Sequence, residues 1–494
     1  MSARPAWRQG LLEGGLAAAA SLAAGWIVHR GAPEVPFAPT ALADRIIRLA
    51  PGDVATTAID RLHHAAQPLL AAAVAATLVA LGAAIAWRLH SPAHAALVWG
   101  ALVLVSGLAA PIVPGLATAM AAAGVGAVTY GVAVWAMRTD SPKRRPDPAR
   151  RRALLLVGAI TGGALLASHP LGRAVAWIVG RPRHRATGPL PQAAAPARAP
   201  FPRVAGLSQE VTSVADHYVV DIDIDDPLVD ASAWRLHVGG LVQRRLNLGF
   251  IDLQRAFPLV DEISVLTCIS NPVGGPLVGC SRWEGVPLAA LLRRADPKPN
   301  ATALVARCAD GYSAGIPLAA ARHPSALLAI AQDGRSLSRE HGFPARLRLP
   351  ALYGMLNPKW VQSIELVDHP VLGYWAQQGW SPTAVVRTES RIDTPHHARV
   401  GEPTWIAGVA WAGSRGISRV EVSTDGTWRP ARLRRPLSPW AWTQWALRWT
   451  PTNPGRHVVA CRATDGEGVV QDARKRPPHP SGASGYHRVT VGVT

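Results

Sequence analysis

Long apolar runs dominate the first third of the chain and predict membrane helices. A helix needs about 20 mostly apolar residues to cross the hydrocarbon core of a bilayer, with about 17 as the lower limit. Residues 36–67 instead mix charged and apolar positions, as in one or two amphipathic helices lying along a membrane surface. The pattern predicts an all-α transmembrane bundle of about five helices, at residues 11–28, 68–87, 93–113, 116–137 and 153–168.

After the membrane segment, which we place at residues 1–170, the pattern changes. Residues 171–205 are rich in Pro, Ala and Arg without apolar periodicity and predict a linker. Residues 206–393 mix β-like runs, such as 218–224 and 234–238, with a helical stretch at 287–294. This mixture is typical of an α+β domain.

From residue 394 to 494 the helical signals stop and apolar residues alternate with polar ones. Short alternating segments separated by turns such as Asp425-Gly426 are typical of a β-sandwich, and their number favours the immunoglobulin type. The predicted strands are residues 404–411, 417–422, 442–449, 457–463 and 487–493.

The chain is strongly basic, with 51 Lys and Arg against 32 Asp and Glu and a net charge of +19. Such a balance suggests nucleic acid or an anionic membrane as a partner. Because the long apolar runs predict membrane helices, the membrane is the favoured partner and nucleic acid is not. Seven basic residues in segment 138–152 place that loop in the cytoplasm by the positive-inside rule. Five helices then put the soluble part on the extracytoplasmic side of a multi-pass plasma-membrane protein.

Cysteine offers the first candidate chemistry. Four Cys are too few for a disulfide scaffold, and no CxxC or HExxH metal motif is present. Cys268 ends an apolar strand and precedes a glycine-rich loop (VLTCISNPVGGPLVGC, 265–280). Loop N–H groups and a nearby Arg would favour its thiolate, the form that binds metals, whereas a lone Cys is more often a small buried apolar residue. Cys280, Cys308 and Cys461 are predicted to be structural.

A second segment, EHGFPARLRLPALYGMLNPKWVQSIE (340–365), changes the interpretation. Together with the cysteine loop and GYWAQQGWSPTAVVRTESRIDTP (373–395), it resembles the molybdopterin-dependent oxidoreductases of the sulfite oxidase family. The resemblance covers about residues 206–494, and the sandwich resembles that family's C-terminal dimerisation domain. It implies a membrane-bound oxidoreductase that transfers an oxygen atom in a two-electron reaction with a small extracytoplasmic substrate.

The resemblance also implies the residues that hold the cofactor, a molybdenum-molybdopterin. Cys268 would ligate the metal, and Arg346 and Lys359 would bind the phosphate and polar pterin edge, as cations do. His341 would be a further contact. Asn271 would hydrogen-bond the cofactor, although an ordinary turn Asn is an equally good interpretation.

Two residues are predicted to face the substrate. Tyr312 matches the family's active-site tyrosine, with a packed core Tyr as the alternative. Arg282 matches an arginine that faces an oxyanion substrate, with a salt bridge or stacking on Trp as the alternative.

One departure bears on the substrate. Sulfite oxidases typically follow their Cys with an Asn-Arg pair whose arginine lines an anion pocket, whereas here Ile269 and Ser270 follow Cys268. Without that arginine sulfite is in doubt, and a neutral substrate such as a sulfoxide fits a less cationic pocket. The site would then reduce sulfoxides with electrons from the membrane.

The resemblance implies a separate electron-transfer partner and a possible homodimer through the C-terminal domain. A rival hypothesis is a cofactor-free, membrane-anchored binding or scaffold protein on a degenerate sulfite-oxidase fold. It is supported by the changed cysteine loop and by PALYG (350–354), where the family more often has PGLYG. A transporter is less favoured, because the helices contain no polar midplane pair and no evident inverted repeat.

Overall fold

The computed structural model of the chain describes residues 6–32, 35–51, 54, 66–108, 116–137, 201–224 and 226–494. These residues form two compact units. The first unit contains the N-terminal helices, and the second contains all the β-sheets.

The first unit is a helical bundle. Its helices are α1 (Ala6–Gly31), α2 (Ala38–Leu49), α3 (Ala66–Arg88), α4 (Pro92–Leu108) and α5 (Leu116–Met137). Within the described residues, α1, α3 and α5 are long and apolar enough to cross a membrane, and α4 is shorter. The described part of the predicted span 93–113 is helical as far as Leu108, and residues 109–113 lie outside the described residues. The fifth predicted span, 153–168, lies outside the described residues.

Small residues let α1 and α3 approach closely, as they do in many membrane helix pairs. Gly14 on α1 faces Gly82 and Ala86 on α3, and a Cβ on Gly82 would overlap the Cβ of Ala18. The bundle also contains buried hydrogen bonds. The Trp99 indole donates to Ser21 Oγ (2.8 Å), and the Tyr130 hydroxyl donates to the Gly82 carbonyl.

The second unit begins with a mixed α+β region. Its elements are β1 (Arg235–Gly240), β2 (Leu246–Gly249), α6 (Phe250–Ala256), β3 (Val260–Thr267), β4 (Val278–Pro287), α7 (Leu288–Ala295), β5 (Ala303–Cys308), β6 (Ser313–Pro317), α8 (Leu318–Ala321), β7 (Leu327–Gln332), β8 (Arg335–Ser336), β9 (Arg346–Arg348), β10 (Val361–Val367) and α9 (Tyr374–Gln377). One-turn 3₁₀ helices lie at Arg339–His341 and Gly354–Leu356.

Two sheets organise this region. One has the order β2-β1-β10-β5-β6, in which β1 and β10 are parallel. The other has the order β3-β4-β7-β8, with β9 also paired to β7. Helix α7 follows from its sequence, because Leu288, Leu291, Leu292 and Ala295 recur at helical spacing and are all buried. The predicted strand at 218–224 is wrong, since that segment lies in neither sheet and its Asp221 pairs with Lys359.

The C-terminal region is a sandwich of two sheets, as predicted. Its strands are β11 (Glu389–Thr394), β12 (His397–Ala398), β13 (Thr404–Trp411), β14 (Ile417–Thr424), β15 (Thr427–Pro430), β16 (Arg432–Leu433), β17 (Thr443–Trp449), β18 (Gly455–Asp465) and β19 (His487–Val493). The sheets have the orders β11-β13-β17-β16 and β12-β19-β18-β14-β15. Buried Trp445, Val422 and Cys461 share the core between them. Asp425 and Gly426 both have positive φ in the turn that joins β14 to β15.

We expect Gly82→Ala to destabilise the helical unit. The added methyl group would overlap Ala18 and press on the Trp99 ring, and overpacking of this kind costs about 1–3 kcal/mol. Gly124→Ala on α5 is the matched control, because a Cβ there meets no described atom within 4 Å. Thermal unfolding in detergent should show a lower melting temperature for the first variant only. Equal melting temperatures would contradict this helix contact.

Candidate active site

Cys268 directly follows β3 and begins a loop. Two backbone hydrogen bonds of Cys268 join it to later residues of that loop. Its N–H donates to the Leu277 carbonyl (2.9 Å), and its carbonyl accepts from the Asn271 N–H (3.1 Å). Cys268 is partly exposed, whereas the other three cysteines are buried, and all four are free. Cys268 is therefore the one cysteine of the four that is not fully buried, and its Sγ lies 3.0 Å from Ser270 Oγ.

The electrostatics of Cys268 differ from the sequence-based expectation. Burial raises the pKa of the thiol, although hydrogen bonds from Ser270 and from the Ile269 backbone lower it in part. The predicted N–H contacts are present, but burial outweighs them. A metal ion would favour the thiolate form of any thiol that coordinates it.

Asn271 shapes the turn after the cysteine. Its Oδ1 accepts a hydrogen bond from the Leu277 N–H (2.9 Å), and a Cβ on Gly275 would lie 2.5 Å from that oxygen. The Nδ2 atom is buried and has no hydrogen-bond partner among the described residues. Asn271 therefore serves the turn with its oxygen and retains an unused donor.

The second motif brings three predicted residues together. His341 ends the 3₁₀ turn Arg339–His341, and Gly342 follows with φ +104°. A Cβ on Gly342 would lie 2.9 Å from Lys359 Cβ and 3.2 Å from Arg346 Cβ. Only glycine suits this conformation and this close approach, which explains the His-Gly pair in the motif.

Two buried arginines project from strand β9. The Arg346 guanidinium donates to the carbonyls of His341 and Asn357, both at 3.0 Å. Arg348 donates to the Asn357 side chain and to Ser264 Oγ (2.8 Å). Both guanidinium groups lie over the buried Trp283 ring, at 5.1 and 5.2 Å from its centroid.

The positive charges of these two arginines are not balanced by neighbouring carboxylates in the described part of the chain, and not all of their hydrogen-bond donors are used there. Burial lowers the pKa of Arg346 to about 10 and that of Arg348 to about 9. No carboxylate among the described residues lies within ion-pair distance of either group, and each Nε atom is buried without a hydrogen-bond partner there. The strand therefore carries two buried positive charges with unused donors.

Two histidines adjoin the arginines. The His217 and His341 rings meet edge to face, with centroids 5.4 Å apart. Burial lowers the pKa of His217 to about 3 and that of His341 to about 4, and neighbouring cationic groups add to both shifts. Both imidazoles are therefore neutral near pH 7. His217 donates from Nδ1 to the Tyr218 carbonyl, which leaves the buried Nε2 as an acceptor with no partner among the described residues.

Lys359 lies at the edge of this cluster. Its ammonium group pairs with Asp221, donates to the Glu340 carbonyl (2.7 Å) and lies 4.5 Å from the centroid of the Trp360 ring. The side chain is mostly buried. The structure thus brings Lys359, His341 and Arg346 into one cluster.

Tyr312 is buried beside the cysteine loop. Its hydroxyl donates to the Met355 carbonyl (2.7 Å). A Cβ on the neighbouring Gly354 would lie 3.9 Å from Cys268 Cα and 3.0 Å from the Tyr218 hydroxyl. Burial raises the pKa of Tyr312 well above its usual value, and Cys268 adds to the rise. The phenol is within electrostatic reach of Cys268, and its hydrogen bond to the backbone also suits a packed core residue.

The structure does not bring Arg282 to the cysteine. Arg282 pairs with Ile263 in the β3–β4 ladder, four residue pairs from Thr267, which is about 13 Å of strand. Its guanidinium lies 3.7 Å from Asp261, and this salt bridge is one of the alternatives that the sequence leaves open. The neighbouring Trp283 points to the opposite, buried face.

Four residues of this cluster were missed by the sequence analysis: His217, Tyr218, Trp283 and Arg348. Arg348 had a usable signal, since Arg346 and Arg348 share one face of a strand in the otherwise apolar run RLRL. The adjacent pair His217-Tyr218 lies far from both motifs in sequence and carries no pattern of its own. Only the tertiary fold reveals its place.

Comparisons with known proteins identify the family of the chain. Two family models match consecutive parts of the chain. They are an oxidoreductase molybdopterin binding domain (residues 223–375) and a Mo-co oxidoreductase dimerisation domain (residues 381–493).

Three curated relatives illustrate the similarity. The chain is 35% identical over 153 residues to a protein of Azospira oryzae that is named as a candidate protein-methionine-sulfoxide reductase subunit, YedZ1. This match covers 31% of the present chain and 56% of the relative. It is 30% identical over 297 residues to sulfite oxidase of Gallus gallus, covering 50% and 64%. It is also 30% identical over 155 residues to the uncharacterized oxidoreductase YuiH of Bacillus subtilis, covering 31% and 74%.

The chain spans less than two thirds of the length of the first two relatives. The chain covers 74% of the Bacillus subtilis protein at 30% identity. Two successive family models match the second unit of the present chain. This chain therefore belongs to the sulfite oxidase family of molybdopterin-dependent oxidoreductases.

Proposed function

We propose that the chain is a membrane-bound molybdenum-cofactor enzyme that transfers an oxygen atom in a two-electron reaction with a small extracytoplasmic substrate, either a sulfite-like oxyanion or a sulfoxide. The observation that carries this proposal is a partly exposed cysteine whose loop adjoins Tyr218, the residue that stacks on His217 of the buried cationic cluster. The cofactor of this family is molybdenum-molybdopterin.

The donor set fits that cofactor. Buried donors without partners cost about 1–3 kcal/mol each, and a pterin with a phosphate supplies the missing acceptors. In this cluster four buried donors have no partner among the described residues, and neither does one buried acceptor: the donors are Asn271 Nδ2, Trp283 Nε1, Arg346 Nε and Arg348 Nε, and the acceptor is His217 Nε2. The described residues contain no group of three or more His, Cys, Asp or Glu that could hold a metal. A metal here would rely on Cys268 and on ligands from the cofactor.

The proposed roles follow from these contacts. Cys268 would be the metal ligand, and Asn271, His341, Arg346 and Lys359 would hold the cofactor. To these we add His217 and Arg348, because both have unused polar atoms in the same buried cluster. When bound, the cofactor supplies two-electron redox chemistry and an exchangeable oxygen atom.

Protein groups would position the reactants and exclude water. Ser270 Oγ, 3.0 Å from Cys268 Sγ, can donate a hydrogen bond to the thiolate. Tyr312, which is predicted to face the substrate, keeps its proton near neutral pH because burial raises its pKa. Arg282 is left out of the proposed site, because it lies four residue pairs along β3 and β4 from the strand end that precedes Cys268.

The membrane arrangement is also a proposal. Four apolar helices are described, three of them long enough to span. Together with the fifth apolar segment and the basic loop at 138–152, they favour a multi-pass plasma-membrane protein with residues 206–494 on the extracytoplasmic side.

The domain boundaries and partners complete the proposal. We propose a membrane domain (1–170), a linker (171–205), a molybdopterin domain (206–393) and an immunoglobulin-like domain (394–494). Strand β11 begins at Glu389 and pairs with β13 of the sandwich, so the sandwich sheet starts five residues before this boundary. The match to a dimerisation domain supports pairing of two chains through this last domain. An electron-transfer partner would exchange electrons with the site.

We expect Cys268→Ala to abolish molybdenum binding, since it removes the one proposed protein ligand. Metal analysis and pterin fluorimetry of the purified protein should give about one molybdenum per wild-type chain and a large loss in the variant. Cys461→Ala in the sandwich core is the matched control and should retain the metal. Wild-type protein without molybdenum, from a host that makes the cofactor, would overturn the proposal and favour the scaffold alternative. If molybdenum is bound, assays with artificial electron carriers in both directions would establish whether the enzyme oxidises or reduces its substrate.

Asn271→Asp tests whether this residue holds the cofactor or only forms the turn. The variant keeps an oxygen to accept from the Leu277 N–H but removes the unused Nδ2 donor. We expect pterin content to fall about tenfold, as loss of a hydrogen bond worth about 1.4 kcal/mol predicts. Unchanged pterin in a variant of unchanged melting temperature would show that Asn271 is an ordinary turn residue.

A further inference from the structure

One face of the molybdopterin domain carries a group of exposed arginines. Backbone hydrogen bonds pair segment 241–245 with segment 294–298. The Arg244 guanidinium donates to the carbonyl of Arg294 (2.8 Å) and to that of Arg293 (3.4 Å). The end of helix α7 and the loop that follows β1 therefore place their basic side chains next to each other.

Helix α6 joins this face. The Arg294 guanidinium lies 5.7 Å from the centroid of the Phe257 ring, and Phe257 directly follows α6. Ile251 and Arg255 are four residues apart on α6, so they share one face of the helix, and both are exposed. We call the six exposed basic residues of these three segments the basic patch: Arg244, Arg245, Arg255, Arg293, Arg294 and Lys298.

Neighbouring acids leave most of this charge unbalanced. Among the described residues, Arg244 alone of the patch forms an ion pair, with Asp296 at 3.3 Å, and both side chains of that pair are about half exposed. Asp252 on α6 accepts a hydrogen bond from the Gly249 N–H (2.8 Å). The patch therefore presents a local surplus of positive charge to solvent.

The end of α7 does not by itself explain the patch. Cations are favoured in the last turn of a helix, which accounts for the two arginines there. Arg244, Arg245 and Lys298 lie outside any helix and extend the same basic face. Exposed arginines elsewhere in the domain can have acidic partners, as Arg307 has in Glu365. The surplus of charge is therefore a property of this face.

The position of the patch distinguishes between two anionic partners, an acidic electron-transfer protein and an anionic membrane. Strand β3 begins at Val260, three residues beyond Phe257, and ends at Thr267, next to Cys268. Its eight residues span about 23 Å. A protein docked on the patch would lie at the opposite end of β3 from Cys268, a poor position for exchanging electrons with the site. A membrane surface needs no such proximity.

The apolar neighbour of the patch also favours a membrane. The Ile251 side chain is 59% exposed, although it could have been buried against the domain. Exposed apolar side chains beside basic ones are typical of segments that lie at the boundary between lipid headgroups and acyl chains. The guanidinium group also suits phosphate, to which it can donate two parallel hydrogen bonds.

We propose that the basic patch binds the surface of a membrane that contains anionic phospholipids, with its arginines at the headgroup phosphates and Ile251 at the start of the acyl region. Basic residues near an anionic leaflet are attracted to it, and the attraction falls with ionic strength. This inference goes beyond the proposed function and shares with it only the membrane-bound state of the chain.

The test measures hydrogen–deuterium exchange of the full chain in nanodiscs. One set contains phosphatidylcholine alone, and the other contains phosphatidylcholine and phosphatidylglycerol in equal parts. We expect the exposed amides of segments 241–260 and 288–298 to exchange about tenfold more slowly in the anionic nanodiscs, because lipid contact shields them. High salt should remove the difference.

The double variant Arg245→Glu/Arg293→Glu should lose the slower exchange. Neither side chain forms an ion pair with a described residue, so its reversal should leave the fold intact. Arg448→Glu/Arg456→Glu is the matched control, since both arginines are exposed on the sandwich and the change in charge is the same. It should keep the slower exchange. Ile251→Ser is a smaller change with the same expected direction as the first variant, and equal melting temperatures would show that all variants fold.

Two results would overturn the inference. One is equal exchange in both kinds of nanodisc. The other is protection of the patch by polyglutamate without any effect of phosphatidylglycerol, which would indicate an acidic protein as the partner.

A different result bears on the proposed function. A chain that does not incorporate into nanodiscs would overturn its membrane-bound part. Co-sedimentation with phosphatidylglycerol vesicles that is lost in Arg245→Glu/Arg293→Glu would still support the patch in that case.

Discussion

The molybdopterin domain buries two neighbouring guanidinium groups, and the packing around them depends on how their charge is stabilised. Arg346 and Arg348 are two residues apart on β9 and therefore point the same way, where both lie over the Trp283 indole. Buried charges persist when hydrogen bonds and aromatic faces replace their water. The Asn357 loop, Ser264 on β3 and the carbonyl of His341 supply those hydrogen bonds. The arginines thus draw strands β3, β4 and β9 and the His-Gly turn into one cluster.

This cluster explains why the site has neutral histidines beside permanent cations. Desolvation and the neighbouring positive groups act in the same direction on His217 and His341, so both rings remain unprotonated and offer lone pairs. A ligand that carries both acceptors and donors, as a pterin does, meets both kinds of group here. The partly exposed thiol of Cys268 lies at the end of β3, the strand that also supplies Ser264 to Arg348.

Much of this arrangement was predictable from sequence, since two of its motifs are local. The strand-end position of Cys268 and the turn at Asn271 follow from a short segment with strong glycine signals, and the grouping of His341, Arg346 and Lys359 was implied by the family resemblance. The sandwich strands were also predictable, because period-two alternation is unambiguous when turns separate the runs. His217 was missed, since its contacts with Trp283 and His341 depend on tertiary packing. Arg282 was associated with the site by the family resemblance alone, and it lies on the strand face opposite its buried neighbour Trp283. The segment 218–224 looked like a strand because its carboxylates alternate with apolar residues, yet Asp221 binds a cation.

The position of β10 has a consequence for how the protein is made. This strand lies between β1 and β5 in its sheet, parallel to β1, although more than 120 residues separate the two in sequence. Lys359 and Trp360 directly precede it, and the Trp234 indole donates to the Val361 carbonyl. A nascent chain that ends before Val361 has its first sheet split into a β1–β2 hairpin and a β5–β6 hairpin. The first sheet is completed by the last strand of its domain to leave the ribosome, so the cluster around Lys359 forms only in a chain whose molybdopterin-binding domain has been translated almost in full.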